Sequence, residues 1–525
     1  MERPALADQK LNLLSLTTEL ILLVLDKCLT VDLHTIAQTS RQLHFLAIPL
    51  YLSRFGIRDG LQTKEIHLEG RYTLALLGLQ CSLIVPPLER LSVKFNHATY
   101  FANELRRLLA FISHSERIRE VTLHFGNIDS RWVNGLIAVS SVKWRTDLIK
   151  LLEILVERKC ETLNVRLGYF LTYETLITAE QDVEAVPKHR AFIDRQISAV
   201  SNLLGVSSSS TAVVKKITVR NRANSMSVQL QNRSLRTFRL HSNLFFTHPF
   251  YSWMMDMFRK TPITSLSLQA SGVMEEEWTS FLQSLTIPTL NHVAFISMHI
   301  LFPDLLIFIS RHPHLTSVDL HPHYQCSLGK KLPKKWKLSL PSLASIGGSP
   351  ANVKLFLSRS QPLPALHHFS LSLPVHQRPF GLGDFEMINK MILTAINNYQ
   401  PRTLTLEFLV PVVWDDLPND VNNNDYVTAS SAGAESMRAS LFPTVETIRF
   451  STDGSFAFSR WTLPLLPRWL ATFTALRQVS LATDCLPQCS VERQWTVRAI
   501  KEACPRVSSV LLDDDKHVRK VAYWL

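Results

Sequence analysis

Five side chains able to hold a metal ion lie in one short stretch, RHPHLTSVDLHPHYQC: His312, His314, His321, His323 and Cys326. Imidazole and thiolate are the usual ligands of a tetrahedral zinc ion. The spacing argues against one shared ion. Between the two His-Pro-His triplets, LTSVDL alternates apolar and polar residues as a strand does, and a strand of that length keeps its ends about 20 Å apart. Cys485 and Cys489 lack a second pair. The sequence therefore implies no metal. Nor does it carry a GxGxxG or GxxxxGK[ST] phosphate loop, a nucleophile elbow, an HExxH helix or a glycosidase-type carboxylate pair, and it has only 16 glycines. Such loops and elbows are what nucleotide, acyl and metal chemistry most often leave in a sequence. No cofactor and no catalysis are expected.

The remaining chemistry is charge. Lys and Arg number 56 against 44 acids, a formal charge of +12. The densest basic run is GKKLPKKWK, 329–337, which has the composition of a nuclear-import signal or an anion contact. Elsewhere Lys and Arg are scattered singly among apolar residues, so a solvated basic surface is expected and nucleic acid is not. The seven cysteines are sparse and odd in number, the usage of a reducing compartment. Near the N-terminus the longest apolar run, Leu20 to Leu25, is closed by Glu19 and Asp26. It is too short for a membrane span and lacks the flanks of a signal peptide. A soluble cytoplasmic or nuclear protein without a membrane partner is expected.

A chain of 525 residues exceeds one globular core, so it must form several domains or a repeat array. A repeat is visible. The phrase apolar, two residues, apolar, one residue, apolar recurs at Leu88/Leu91/Val93, Ile118/Val121/Leu123, Val214/Ile217/Val219, Leu235/Phe238/Leu240, Ile263/Leu266/Leu268, Leu290/Val293/Phe295 and Leu315/Val318/Leu320. It continues at Leu366/Phe369/Leu371, Val445/Ile448/Phe450, Leu476/Val479/Leu481 and Val507/Val510/Leu512, with shorter copies at Ile66/Leu68, Leu163/Val165, Leu343/Ile346 and Leu404/Leu406. Between copies, EEEWTSFLQSL puts Trp278, Phe281, Leu282 and Leu285 on one helical face, and DFEMINKMILTAINNY does the same with Ile388, Ile392 and Ile396. Asp304 is a candidate cap for the helix LLIFIS. One strand and one helix per copy predict an α/β chain whose units bury their apolar sides only by stacking.

From Leu240 to Leu371 the copies recur every 23–28 residues, inside the range of roughly 20–29 typical of leucine-rich repeats. The chain resembles a leucine-rich-repeat domain over residues 57–525, with irregular copies. Asn243 matches the family's Asn after the strand, and Phe245, Val273, Ile300 and Leu486 its further inward position. The resemblance implies a horseshoe whose concave wall is a parallel sheet. Residues 414–440, rich in Asn, Asp and small residues, are expected to be a disordered insertion.

Residues 13–56 differ. In LLSLTTELILLVLDKCLTVDLHTIAQTSRQLHFLAIPLYLSRF, Leu16, Leu20, Val24, Leu25 and Leu29 follow helical spacing. Asp32 is a candidate cap for a second helix with Leu33 and Ile36, and a third follows with Leu43, Leu46 and Ala47. The order Leu16, Glu19, Leu20, Leu25, Asp32, Leu33, Ser40, Arg41, Leu43 resembles an F-box, with Thr17, a candidate N-cap, where that family commonly has proline. Residues 1–12 are read as a flexible tail.

F-box proteins of this build are non-catalytic substrate receptors of SCF-type ubiquitin ligases. The resemblance implies a Skp-type adaptor and cullin ligase core as partners, with Leu16, Leu20, Val24, Leu25, Leu33, Ile36 and Leu43 as adaptor contacts. The repeats would then hold an unknown target protein. Outward strand positions nominate Lys216, Arg220, Arg239, His241, Asp319 and Arg449 for that wall. A basic end would favour an acidic or phosphorylated target. The alternative is a repeat scaffold that binds a protein without any ligase link.

Overall fold

The structure, a computed structural model, describes residues 16–57, 64–69, 72–83, 87–95, 98–126, 143–168, 234–270, 275–296, 299–320, 325–327, 336–372, 388–394, 403–410, 444–452, 465–482 and 490–513, with Leu14, Val273 and Phe442. The expected tail, Val214/Ile217/Val219, Ile396, Leu486 and the insertion at 414–440 lie outside them. The chain is α/β and divides into two compact units, Met1–Thr261 and Pro262–Leu525.

The first unit opens with three helices, α1 (Thr18–Lys27), α2 (Thr30–Ala37) and α3 (Arg41–Ser53). Strands and helices then alternate: β1 (Glu65–Leu68), α4 (Tyr72–Cys81), β2 (Leu88–Lys94), α5 (Ala98–His114), β3 (Ile118–Phe125), α6 (Lys143–Glu157), β4 (Thr162–Leu167), β5 (Thr237–His241) and α7 (Phe250–Lys260). The five strands are parallel and lie side by side in chain order. The aliphatic phrase becomes two straight rows across them. Ile66, Leu91, Val121, Leu163 and Phe238 form one, and Leu68, Val93, Leu123, Val165 and Leu240 the other. Every member is buried. Each such side chain contributes about 1.5–3 kcal/mol when covered, and the cover comes from the next rung.

Behind the rows an aromatic column ties strand ends to helices. Phe95 stacks on Phe125 at 5.3 Å, Phe101 meets Phe125 edge-on, and Trp144 of α6 bridges Phe101 and Phe250 at 5.7 and 5.8 Å. A second device repeats in both units. The arginine directly after a helix donates to the last carbonyls of an earlier helix, groups that the helix cannot satisfy itself. Arg54 reaches Asp26 O and Cys28 O after α1, and Arg158 reaches Ser113 O in the last turn of α5.

The second unit repeats the plan with β6 (Ser265–Gln269), α8 (Glu275–Ser284), β7 (His292–Ile296), β8 (His299–Leu301), α9 (Phe302–Ser310), β9 (Ser317–Leu320), β10 (Gln325–Ser327), β11 (Ser345–Gly348), α10 (Pro350–Arg359), β12 (His368–Ser372), β13 (Leu404–Val410), β14 (Val445–Thr452), α11 (Leu465–Leu470), β15 (Gln478–Ala482), α12 (Ser490–Ala503) and β16 (Ser509–Asp513). Strands β8 and β10 pair with each other, and the other strands form one parallel array in chain order. Leu266, Val293, Val318, Ile346, Phe369, Leu406, Ile448, Val479 and Val510 make its first row. Here Arg311 follows α9 and donates to Leu282 O and Gln283 O at the end of α8.

Details differ from the sequence expectations. Thr17 occupies the N-cap of α1 but makes no side-chain cap bond; its carbonyl takes the first helical bond from Ile21 N–H at 3.0 Å. Helix α2 starts before Asp32, after Leu29, so Asp32 sits in its first turn. Helix α9 likewise starts after Leu301, and Asp304 instead accepts from Thr279 Oγ1 at 2.6 Å. In the last phrase, Val507 is buried but Leu512 is exposed, because β16 ends the array. Between β13 and β14 the register shifts after Leu404, where Glu446 is an extra residue of β14; Leu404, Leu406 and Phe408 are all buried.

One position breaks the second row: Gly348 stands where the neighbouring rungs carry Leu320 and Leu371. Its φ is +138°, and a Cβ would strike the Leu320 carbonyl. Both strain and clash forbid a side chain there. Gly348→Ala is expected to cost about 1–3 kcal/mol, read as a lower urea midpoint with an unchanged slope; an unaltered midpoint would contradict this geometry.

Candidate functional site

The opening helices are packed on one side and bare on the other. Ile21, Leu25, Leu33, Ala37, Leu43, Ala47, Ile48 and Leu52 fill their interior. Helix α3 joins them to the first β–α unit. Tyr51 donates its hydroxyl to Leu74 O at 2.6 Å and packs against Gly78, where a Cβ would come within 2.5 Å of the ring. His44 receives Leu83 N–H on Nε2 at 3.3 Å, so its proton sits on Nδ1 and is donated to Ala37 O at 3.1 Å. Of twelve large apolar side chains exposed among the described residues, six lie between Leu14 and Val31. The patch is thus local. Leu20, Leu23 and Val24 share one face of α1 by i, i+3 and i+4 spacing, and Leu29 and Val31 adjoin the start of α2 at 72% and 68% exposure.

The seven nominated adaptor contacts therefore separate. Leu20 and Val24 are exposed, Leu16 and Ile36 are half-buried, and Leu25, Leu33 and Leu43 belong to the module's core. Leu23 was passed over because an apolar run longer than one helical stripe does not reveal which members face inward; Leu29, read as part of the first stripe, stands instead at the N-cap of α2, with Val31 in its first turn.

Of the nominated wall residues, Arg239 and Arg449 are exposed on β5 and β14, and His241 and Asp319 are half-buried on β5 and β9. Lys216 and Arg220 lie outside the described residues. The structure adds a set that sequence reasoning passed over: Lys94, His124 and Arg166 align in register with His241 across β2 to β5. The signal was present. Each follows the last inward residue of its phrase, in SVK, TLH, NVR and FRLH.

In the second unit the polar face carries a linked rung. Ser345 Oγ lies 2.9 Å from His368 Nδ1, His368 Nε2 lies 3.5 Å from a Glu407 oxygen, and Ser451 Oγ donates to Glu407 at 3.4 Å. The His368 hydrogen bond holds the Glu407 carboxyl below the usual range, against the effect of burial. Ser, His and Glu in a chain invite a hydrolytic reading. However, the Ser345 and His368 amides are spent on Thr316 O and Ala344 O, so neither can face an oxyanion. Beside this rung Asp319 lies over Gly347, where a Cβ would meet its Oδ1 at 2.7 Å.

His312 is no ligand in waiting. Ile287 N–H donates to its Nε2 at 3.0 Å, so Nδ1 bears the proton given to Phe308 O at 2.8 Å. His314 is exposed, and His321, His323 and the Cys326 side chain lie outside the described residues. Among the described residues no three His, Cys, Asp or Glu groups are placed to hold a metal ion. The four cysteines described, Cys28, Cys81, Cys160 and Cys504, are free thiols. No described helix is long and apolar enough to cross a membrane. No protein-family model matches the chain, and no curated protein matches it significantly.

Burial, with Glu407 adding to it, pushes the Asp319 carboxyl from its ordinary 3.8 up to about 6. Between those values the folded chain holds a proton that the unfolded chain has released, so stability falls as pH rises from 3.8 to about 6 and stays lower above. Asp319→Asn is expected to stabilise the protein at neutral pH by on the order of 1–3 kcal/mol and to change nothing near pH 3. Urea unfolding at both pH values checks it, and an equal midpoint at neutral pH would count against a desolvated carboxylate.

Proposed function

We propose that this chain is a non-catalytic substrate receptor of an SCF-type ubiquitin ligase. The opening module acts as an F-box that docks a Skp-type adaptor, and the β–α units act as leucine-rich repeats that hold a target protein. One observation carries the reading: Leu20, Leu23, Val24, Leu29 and Val31 stand exposed on α1 and α2, which pack inward through Ile21, Leu25, Leu33 and Ala37. A module this small gains little from its own core and is completed by a partner. Buried Phe245, Val273 and Ile300, at the offsets expected after their strands, support the repeat assignment.

The mechanism is tethering. The adaptor joins the module to the cullin core, and the sheet face holds the target beside the conjugating enzyme. Proximity then raises the effective concentration of a target lysine without chemistry in this chain. Such a protein would work in the cytoplasm or nucleus.

Leu20→Asp with Val24→Asp is expected to abolish co-purification with a Skp-type adaptor while leaving the thermal unfolding profile intact, since both side chains are exposed. Leu25→Asp, by contrast, should unfold the module. If the wild-type chain brings down no adaptor, or the double variant still does, the ligase assignment fails and a plain repeat scaffold remains.

A further inference from the structure

On the polar face of the second unit's sheet, one acid is provided for and its neighbour is not. The register sets Asp319 of β9, Gly347 of β11, Ser370 of β12 and Glu407 of β13 in one row, and Arg449 of β14 follows. Glu407 accepts from Ser451 Oγ and lies 3.5 Å from His368, and the Arg449 charge also favours its ionised form. Asp319 has no such company. Among the described residues it joins no ion pair. Burial and the Glu407 charge both act against its carboxylate, and no hydrogen bond offsets them. The side chain is aimed along the row. It leans over the next strand, where a Cβ at Gly347 would meet its Oδ1 at 2.7 Å and its Cγ at 3.0 Å. The missing side chain at 347 leaves that space open, and only the small Ser370 stands between it and Glu407. Two carboxylates thus mark the ends of a floor made of Gly and Ser, close enough for the charge of one to act on the other.

We infer that this notch receives an arginine side chain of the target protein, its guanidinium bridging Asp319 and Glu407 above Gly347 and Ser370. The inference rests on the sheet face being a target-binding wall and names the residue type that wall selects. Strands β9 and β13 stand three strand spacings apart, about 14 Å between backbones. Side chains reaching in from both ends leave a gap that suits a planar fork of five N–H donors, whereas a compact ammonium would serve one carboxylate only. Arg449 already offsets Glu407, so one incoming cation balances the row. A desolvated carboxylate without a partner destabilises the free chain, and a charge-assisted pair removes that penalty. The notch is therefore less favourable empty than filled, which is the property of a recognition site and not of a structural acid.

The test uses the full-length chain and a fluorescent ten-residue Gly-Ser peptide carrying two arginines at neutral pH, with anisotropy as the readout. With a formal charge of +12 the chain repels such a peptide at long range, so binding reports a local acid. The wild type should bind it. Asp319→Asn should weaken binding about tenfold, the loss of one charge-assisted contact, while raising the urea midpoint. Gly347→Ala, whose methyl group would displace the Asp319 carboxylate, should weaken it as well. Glu502→Gln, which removes the same charge from α12, should bind as the wild type does. Absent wild-type binding, an Asp319→Asn variant that binds undiminished or loses binding with a lowered midpoint, an unweakened Gly347→Ala variant, equal loss in Glu502→Gln, or equal affinity for the peptide with citrulline or lysine in place of arginine would each overturn the assignment. Adaptor co-purification of the wild type is scored separately. Its absence with peptide binding intact sinks the ligase reading alone, and the reverse sinks this site alone.

Discussion

Nothing in this chain can fold one β–α unit at a time. A rung such as Leu91 and Val93 has apolar flanks on both sides, and only the rungs of β1 and β3 remove them from water. That nearest-neighbour dependence explains why the aliphatic phrase keeps its spacing while the residues between copies vary. It explains the arginines too. A helix that leans on the next unit leaves its last carbonyls near that unit's following loop, and Arg158 and Arg311 fill the gap, as Arg54 does between α3 and α1. It also leaves the far strand, β16, with exposed Leu511 and Leu512.

Much of this could be read from letters. Period-two alternation gave the inward rows, because a strand has only two faces. Helical stripes were equally plain where one face alone is apolar, as with Trp278, Phe281 and Leu282. Legibility failed where a choice was made in three dimensions. Thr17, Asp32 and Asp304 have the right chemistry for caps, yet each helix began elsewhere or left the side chain unused. The register shift after Leu404 and the glycine at 348 answer to backbone geometry that no aliphatic pattern encodes.

The candidate surfaces were half legible for the same reason. The run from Leu20 to Leu25 is apolar all round, so sequence named Leu25 as readily as Leu20, although one is core and the other bare. Arg239 and His241 were nominated as strand residues facing outward. Lys94, His124 and Arg166 were missed because each looks ordinary in its own phrase and becomes a row only when four strands are set in register. The five-ligand stretch around His312 shows the converse. Its letters suggest a metal, while the fold uses that imidazole as a two-ended clamp between Phe308 and Ile287.

The seat of Tyr51 on Gly78 has a consequence for how the opening module is carried. The ring rests against backbone, with no intervening side chain that could flex, and its hydroxyl is tied to Leu74. A surface-to-surface fit thus helps to set how the three helices sit on the first β–α unit. A bulkier residue at 78 would lift the ring from its seat and re-aim the helices, leaving the exposed Leu20, Leu23 and Val24 chemically unchanged.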